Sequence, residues 1–386
     1  MSNYKKYILK DGQTRWGVHA YLGTDELTGK QVYYKKQGFK RQKEARTAYL
    51  NARAEFQKGL YHNSNTGNLK LKDVYQEWFE QYRLSVRDST ANKTKEYFDL
   101  HILPVFGDKR INKITSRQLQ SFLNDLHKRF VIYKRIYNYL INVLDYALLQ
   151  GYITNNPKDK VIAPKHSKVQ PPKKKTKDFY SKDELKDFMN AISQENSLKW
   201  PAFFRLLAFT GIRRGEALAL TWNDINFKEA TLKVNKALAL GLNNKQLIQP
   251  PKNEQSNRTI PIDHTTLKLL NDWKAEQAEL LIGFGFNAIN PKQLLFSKHS
   301  TNKPLDLSTP RNNLSRLCKK YNLEMINIHG FRHTHCSLLL EAGFPIREVM
   351  DRLGHSDIQT TMNIYAKVTP ESKDELAEKF AQFVSF

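Results

Sequence analysis

His329-Gly330-Phe331-Arg332-His333-Thr334-His335 is the stretch on which the reading of this chain turns. A histidine and an arginine three places apart share one face of a helix, so both side chains can reach a single phosphate. Three histidines at 329, 333 and 335 raise the question of a metal, but no carboxylate stands at ligand spacing and a metal cluster is set aside. Upstream, Thr210-Gly211-Ile212-Arg213-Arg214-Gly215-Glu216 puts a glycine where two helices need a tight turn. The arginines that follow carry planar forks of donors suited to two phosphate oxygens at once. Downstream, Leu353-Gly354-His355 leads through Ser356-Asp357-Ile358-Gln359-Thr360-Thr361-Met362-Asn363-Ile364 to Tyr365, a hydroxyl able to act as a nucleophile. Cutting DNA without a metal takes such a nucleophile, cations to hold the charge that builds on phosphorus, and an acid for the departing sugar oxygen. Two lysines, Lys252 and Lys245, stand in and near Pro250-Pro251-Lys252-Asn253-Glu254-Gln255-Ser256-Asn257-Arg258, between two β-prone segments.

The overall charge points the same way. Lys plus Arg total 62 against 38 Asp plus Glu, a formal net charge of +24, and clustered cations gain affinity for a polyanion by releasing its counterions. Nucleic acid is therefore the expected partner, although charge alone does not separate an enzyme from a binder. The two cysteines, Cys318 and Cys336, are too few for a disulfide framework and fit no zinc pattern. Residues 1–12 are charged and lack the apolar core of a secretory signal, and the apolar run 201–212 is short and interrupted by Arg205. A soluble, cytoplasmic protein with no membrane partner is the expectation.

With 386 residues, the chain exceeds the usual size of one hydrophobic core, so two or three domains are expected. In the first, Trp16, Val18, Ala20 and Leu22 alternate, Thr28-Gly29-Lys30 supplies a turn and Val32-Tyr33-Tyr34 is β-prone. Ala45, Ala48, Tyr49, Ala52 and Phe56 then fall at helical spacing, which predicts a small sheet followed by a helix within residues 1–62. Residues 62–68 are polar and predict a linker. Helical periodicity fills 69–165, clearest at Leu71, Val74, Tyr75, Trp78, Phe79 and Tyr82, an aromatic stripe better suited to a core than to base stacking. Thr115-Ser116 can cap a second helix, and Gly151 stops a third. Pro164, Pro171 and Pro172 with Lys173-Lys174-Lys175-Thr176-Lys177 make 166–178 an extended basic linker, placed to track a phosphate backbone. Residues 179–386 start at the capping-box pattern Ser181-Lys182-Asp183-Glu184 and are mainly helical. Residues 231–234, 247–248 and 258–262 are β-prone and predict a small antiparallel sheet there. The fold class expected is thus multidomain: a β-sheet plus helix, an all-α bundle, and a mainly α domain with a small sheet.

Taken together and in this order, the four blocks resemble the tyrosine recombinase, or phage integrase, family. In that family the arginine two places after the glycine is catalytic, which implies Arg213 and leaves Arg214 as a backbone contact or surface charge. Glu216 is similar to the family's supporting acid, which orients an arginine. The family writes His-x-x-Arg followed by His-Thr, usually with leucine where this chain has Phe331, implying His329 and Arg332; His333 is then expected as a structural core histidine and His335 as a bystander. Leu-Gly-His followed by Thr-x-x-Tyr implies His355 and Tyr365, and a family lysine on a β-hairpin implies Lys252. Upstream, residues 69–165 resemble the family's core-binding domain. Thr28-Gly29-Lys30, Gly38-Phe39 and Lys43-Glu44-Ala45 resemble the small arm-DNA-binding domain of phage and conjugative-transposon integrases.

The resemblance implies double-stranded DNA with core and arm-type attachment sites as partner and a homotetramer on that DNA, with excisionase and DNA-bending proteins as accessories. It implies neither metal nor nucleotide cofactor. Rival readings are a type IB topoisomerase-like enzyme, with the same chemistry but no strand exchange, and a DNA-binding regulator without catalysis. Beyond Tyr365, Leu376, Ala377, Phe380, Phe383 and Val384 fall at helical spacing behind Thr369-Pro370, which predicts a tail helix; the resemblance implies that it docks on a neighbouring protomer, the alternative being a helix folded back on its own core.

Overall fold

The structure is a computed structural model that describes residues 3–24, 31–57, 69–164, 177–251, 256–354, 362 and 384. It divides into two compact units, Met1–Lys168 and Val169–Phe386.

In the first unit, strands β1 (Asn3–Ile8), β2 (Thr14–Thr24) and β3 (Gln31–Phe39) form an antiparallel sheet in the order β1-β2-β3. The alternation read from the sequence is the buried face: Val18, Ala20 and Leu22 point with Tyr34 towards Ala45, Tyr49 and Ala52 of helix α1 (Gln42–Gln57). Tyr49 keeps its hydroxyl satisfied by donating to the Tyr21 carbonyl at 3.0 Å. The proposed turn at Thr28-Gly29-Lys30 lies outside the described residues, as does the polar stretch 62–68.

The helices of the same unit are α2 (Leu71–Ser85), α3 (Asp88–Tyr97), α4 (Leu103–Phe106), α5 (Ser116–Arg129) and α6 (Tyr133–Leu149), with a π-turn at Phe98–Ile102 leading into α4. α2, α5 and α6 bury most of the face that their periodicity predicts. Leu71, Val74, Tyr75, Trp78 and Phe79 of α2 are buried, and the Tyr75 ring stacks on Phe98 with centroids 4.0 Å apart, so the aromatic stripe is core. Thr115 caps α5 through a reciprocal box: its hydroxyl accepts from the Gln118 N–H at 3.3 Å, and the Gln118 side chain accepts from the Thr115 N–H at 3.1 Å.

In the second unit, helices α7 (Lys182–Ile192), α8 (Lys199–Thr210), α9 (Arg214–Ala219), α10 (His264–Gly283), α11 (Thr309–Lys320), α12 (Gly330–Glu341) and α13 (Ile346–Leu353) surround a core built on Phe188, Phe203, Phe204, Trp273, Phe296 and Phe331. Ser181 and Glu184 form the capping box at α7, and Lys177 at the end of the basic stretch pairs with the same Glu184 carboxylate. Most of the basic linker, 165–176, lies outside the described residues. The β-prone segments do not make one sheet. Strands β4 (Ile225–Asn226), β5 (Thr231–Val234) and β8 (Arg258–Pro261) form one antiparallel sheet, whereas β7 (Gln246–Gln249) pairs with β6 (Ala237–Leu240) in a separate two-stranded ribbon. Asn243 and Asn244, both at positive φ, turn the chain sharply between those two strands, and this local closure takes β7 away from β8.

Candidate active site

The site is assembled around the turn that ends α8. Gly211 has φ of 66°, and a Cβ there would come within 2.5 Å of the Leu353 side chain and 2.8 Å of the His335 ring. Only glycine fits both the backbone and the space. The turn lets α8 and α13 meet closely and leaves the Gly211 carbonyl free to accept from Arg332 Nη1 at 2.9 Å.

Arg332, on α12, is 1 % exposed; its Nη2 donates to the Leu353 carbonyl at 2.7 Å. Burial and the neighbouring Arg213 charge push its pKa down, but a guanidinium starts so far above neutrality that it keeps its charge. Arg213 lies at the start of α9. Its backbone N–H and its Nη1 each donate to the Glu216 carboxylate at 2.8 Å, and its Nη2 donates to the Gly354 carbonyl at 3.2 Å. With its side chain 37 % exposed, Arg213 can still present donors to an incoming ligand. The two arginines thus bond successive carbonyls, those of Leu353 and Gly354, at the point where α13 ends on a left-handed glycine.

Glu216 is buried, and burial would raise its pKa; the charges of Arg258 and Arg213 more than reverse this, so it stays ionised. Two guanidinium groups, from Arg213 and Arg258, pair with this one carboxylate, and Arg332 adds a third cation that feels its charge, an excess of positive charge in a poorly hydrated place. Such a place suits a phosphodiester, and more so a phosphorus centre gaining charge. His329, next to the N-terminus of α12, has its pKa pushed down to about 4, first by burial and then by His333, Arg332 and Arg213, so its imidazole is neutral at pH 7.

The two later histidines exchange the places expected of them. His333 is half-buried, its ring edge-on to His329 with centroids 4.8 Å apart, because residues four apart on a helix share a face. His335 is the core histidine: its Nδ1 bonds the Ala208 carbonyl at 2.9 Å, and its Nε2 accepts from Arg352 Nε at 3.0 Å. Arg352 also donates through Nη2 to the carbonyls of Phe209 and Pro261. Arg258 and Arg352 were not singled out from the sequence. The available signal was a charged residue at a position flanked by buried apolar ones, as at Arg352 between Val349 and Leu353. Arg214, the rival to Arg213, is half-buried. Lys252, His355 and Tyr365 lie outside the described residues; Pro251 and Gly354 are the described residues adjacent to Lys252 and His355.

Residues 178–372 match a family model described as "Phage integrase family", and residues 70–127 match "Phage integrase, N-terminal SAM-like domain". The ICEBs1 integrase of Bacillus subtilis (strain 168) is 27 % identical over 374 residues, which cover 96 % of this chain and 97 % of that protein. Among solved structures, the Tn1549 transposon integrase in complex with a circular intermediate DNA covers 81 % of this chain and 100 % of its own, with a TM-score of 0.60 and 20 % identity. A lambda integrase tetramer bound to a Holliday junction covers 93 % of this chain and 94 % of its own, with a TM-score of 0.54 and 18 % identity. At that level of identity the structural likeness speaks for the fold, while the first family model alone spans just over half of the chain. The chain belongs to the phage integrase family and is a site-specific tyrosine recombinase.

Proposed function

We propose that Tyr365 is the nucleophile and that the arginine network prepares one phosphate for it. In this reading the tyrosine oxygen attacks the scissile phosphodiester in line and forms a 3′-phosphotyrosyl ester. The bond to the 5′ oxygen breaks, and Lys252 supplies the proton that this oxygen takes as it leaves. A 5′ hydroxyl of a partner duplex reverses the sequence, so the energy of the broken bond is kept in the protein–DNA ester. Arg213 and Arg332 stabilise the pentacoordinate phosphorus, His329 takes the tyrosine proton, and His355 donates to a non-bridging oxygen. Neutral His329 has the protonation state a proton acceptor needs, and the negative charge of a bound phosphate would offset the cations that depress its basicity.

The observation that carries the reading is the convergence of Arg332 and Arg213 on the carbonyls of Leu353 and Gly354. It ties the two arginines proposed to bind phosphate to the two residues preceding His355. We place an arm-type DNA-binding domain at 1–62, a core-binding domain at 69–165, a basic linker at 166–178 and the catalytic domain with its tail at 179–386. Four protomers on two duplexes, integrating and excising a mobile element, complete the proposal. Excisionase and DNA-bending proteins would act as accessories.

The assignment of the acid is tested with a duplex whose bridging 5′ oxygen is replaced by sulfur, a leaving group that hardly needs protonation. Lys252→Ala should regain cleavage on it. No rescue of Lys252→Ala together with rescue of Lys245→Ala would move the role to the second lysine.

A further inference from the structure

We infer that Arg258 is a positioning residue for this reaction, a side chain that fastens together three of the segments on which the proposed catalytic groups stand, those of Arg213, Lys252 and His355. It opens β8, opposite Val234 of β5, and its side chain is 7 % exposed. Each of its three nitrogens serves a different segment. Nη2 donates to Glu216 Oε2 at 3.1 Å, on the carboxylate that also holds the backbone and side chain of Arg213. Nε donates to the Arg352 carbonyl at 2.9 Å, one residue before the carbonyls that receive Arg332 and Arg213. Nη1 donates to the Ser256 carbonyl at 3.1 Å, at the stem of the segment that carries Lys252.

The separation of β7 from β8 gives this contact its weight. Because β7 is paired in its own ribbon, no ladder among the described residues joins β7 to β8, the strands on either side of Lys252. Arg258 ties Ser256, next to β8, to α13 and to Glu216. A planar fork with three separately directed nitrogens can do this; an ammonium on a flexible stem keeps the charge but cannot hold three acceptors in fixed directions. Misplacement of reacting groups by about 1 Å is enough to slow a step on the order of a hundredfold. Arg258 therefore acts through Arg213 and Lys252 without touching DNA itself.

This inference rests on the roles proposed for Lys252 and Arg213, and the experiment separates the two. Single-turnover cleavage is measured for wild type, Lys252→Ala, Arg258→Lys and Arg258→Gln on two duplexes, one with the ordinary 5′ oxygen and one with bridging sulfur, alongside DNA affinity and thermal unfolding. Both Arg258 variants should bind DNA within about twofold of wild type and cleave the oxygen duplex about tenfold to a hundredfold more slowly. Their defect should shrink severalfold on sulfur, because the Lys252 step is then bypassed, and persist in part because Arg213 is still displaced. If Lys252→Ala is not rescued by sulfur, the reading of Lys252 fails. If Lys252→Ala is rescued while the Arg258 variants are equally slow on both duplexes, cleave at the wild-type rate, or are unfolded at the assay temperature, the positioning role is overturned.

Discussion

Arg213 and Arg332 are assigned parallel roles, yet their surroundings predict different mutational behaviour. Arg332 is fully enclosed and satisfies two buried carbonyls, so Arg332→Ala leaves a cavity and two unpaired acceptors. A loss of roughly 3 kcal/mol or more is expected in denaturant unfolding. Arg213 is partly exposed and its Glu216 partner keeps Arg258, so Arg213→Ala should cost far less stability. Both should slow DNA cleavage by about a hundredfold or more, since each removes donors from the charged transition state. An Arg213→Ala protein that cleaves at the wild-type rate would contradict the assignment. The titration of His335 is a second test at this scale. Burial and Arg352 hold its pKa at about 4 against an ordinary value of 6.5. Above pH 6.5 the group is neutral folded and unfolded and contributes nothing. As pH falls below 6.5 the unfolded chain takes up a proton that the folded chain refuses, and stability on the order of 3 kcal/mol is lost by about pH 4. The melting temperature of His335→Gln should fall less steeply across that window than that of wild type; equal slopes would refute the account of His335.

Among the elements, the turn between α8 and α9 is constrained both by its positive φ and by the space around it. Gly211→Ala forces a side chain into positive φ and against Leu353 and His335, at a cost of about 1–3 kcal/mol from the backbone alone. Because Leu353 carries the carbonyl that holds Arg332, cleavage should slow along with the loss of stability; unchanged cleavage at a temperature where the variant is folded would show that the turn does not set the arginines. The need for this glycine was legible in the sequence, because a glycine between an apolar helix and a pair of arginines has few other uses. The helices of 69–165 were legible for a similar reason: Leu71, Val74, Tyr75, Trp78 and Phe79 make one face that has to be buried. Strand pairing was not. Residues 247–248 and 258–262 are equally β-prone, and only the turn at Asn243 and Asn244 decides that the first pairs backwards with β6. Nor could the sequence assign His333 and His335, since two residues on adjacent helix faces differ only in which neighbour each meets. Arg258 escaped notice because its three partners come from positions 216, 256 and 352, far apart in the chain.

For the whole molecule, the formal charge of +24 bears on how DNA is held. If six or more phosphates are contacted, affinity should drop by about a thousandfold or more between 50 and 200 mM salt. A flat salt dependence would contradict a mainly phosphate-held complex. Of the tail expected at 371–386, the structure describes Val384 alone, and docking of this tail on a neighbouring protomer is a proposal with its own test. Removing the residues after Val368 should leave the binding of one protomer intact while weakening cooperative assembly on two sites; a truncated protein that assembles and recombines at the full rate would refute docking in trans. The most direct test of the central claim is the covalent bond itself. Duplexes drawn from the DNA flanking the gene, nicked so that cleavage cannot reverse, are incubated with wild type and with Tyr365→Phe, denatured, and the protein bound to DNA is digested and sequenced. Wild type should give a denaturant-resistant adduct whose modified peptide carries a 3′ phosphate ester on Tyr365, and Tyr365→Phe should bind the same DNA and give none. An adduct formed by the phenylalanine variant, or mapped to another residue, would contradict it.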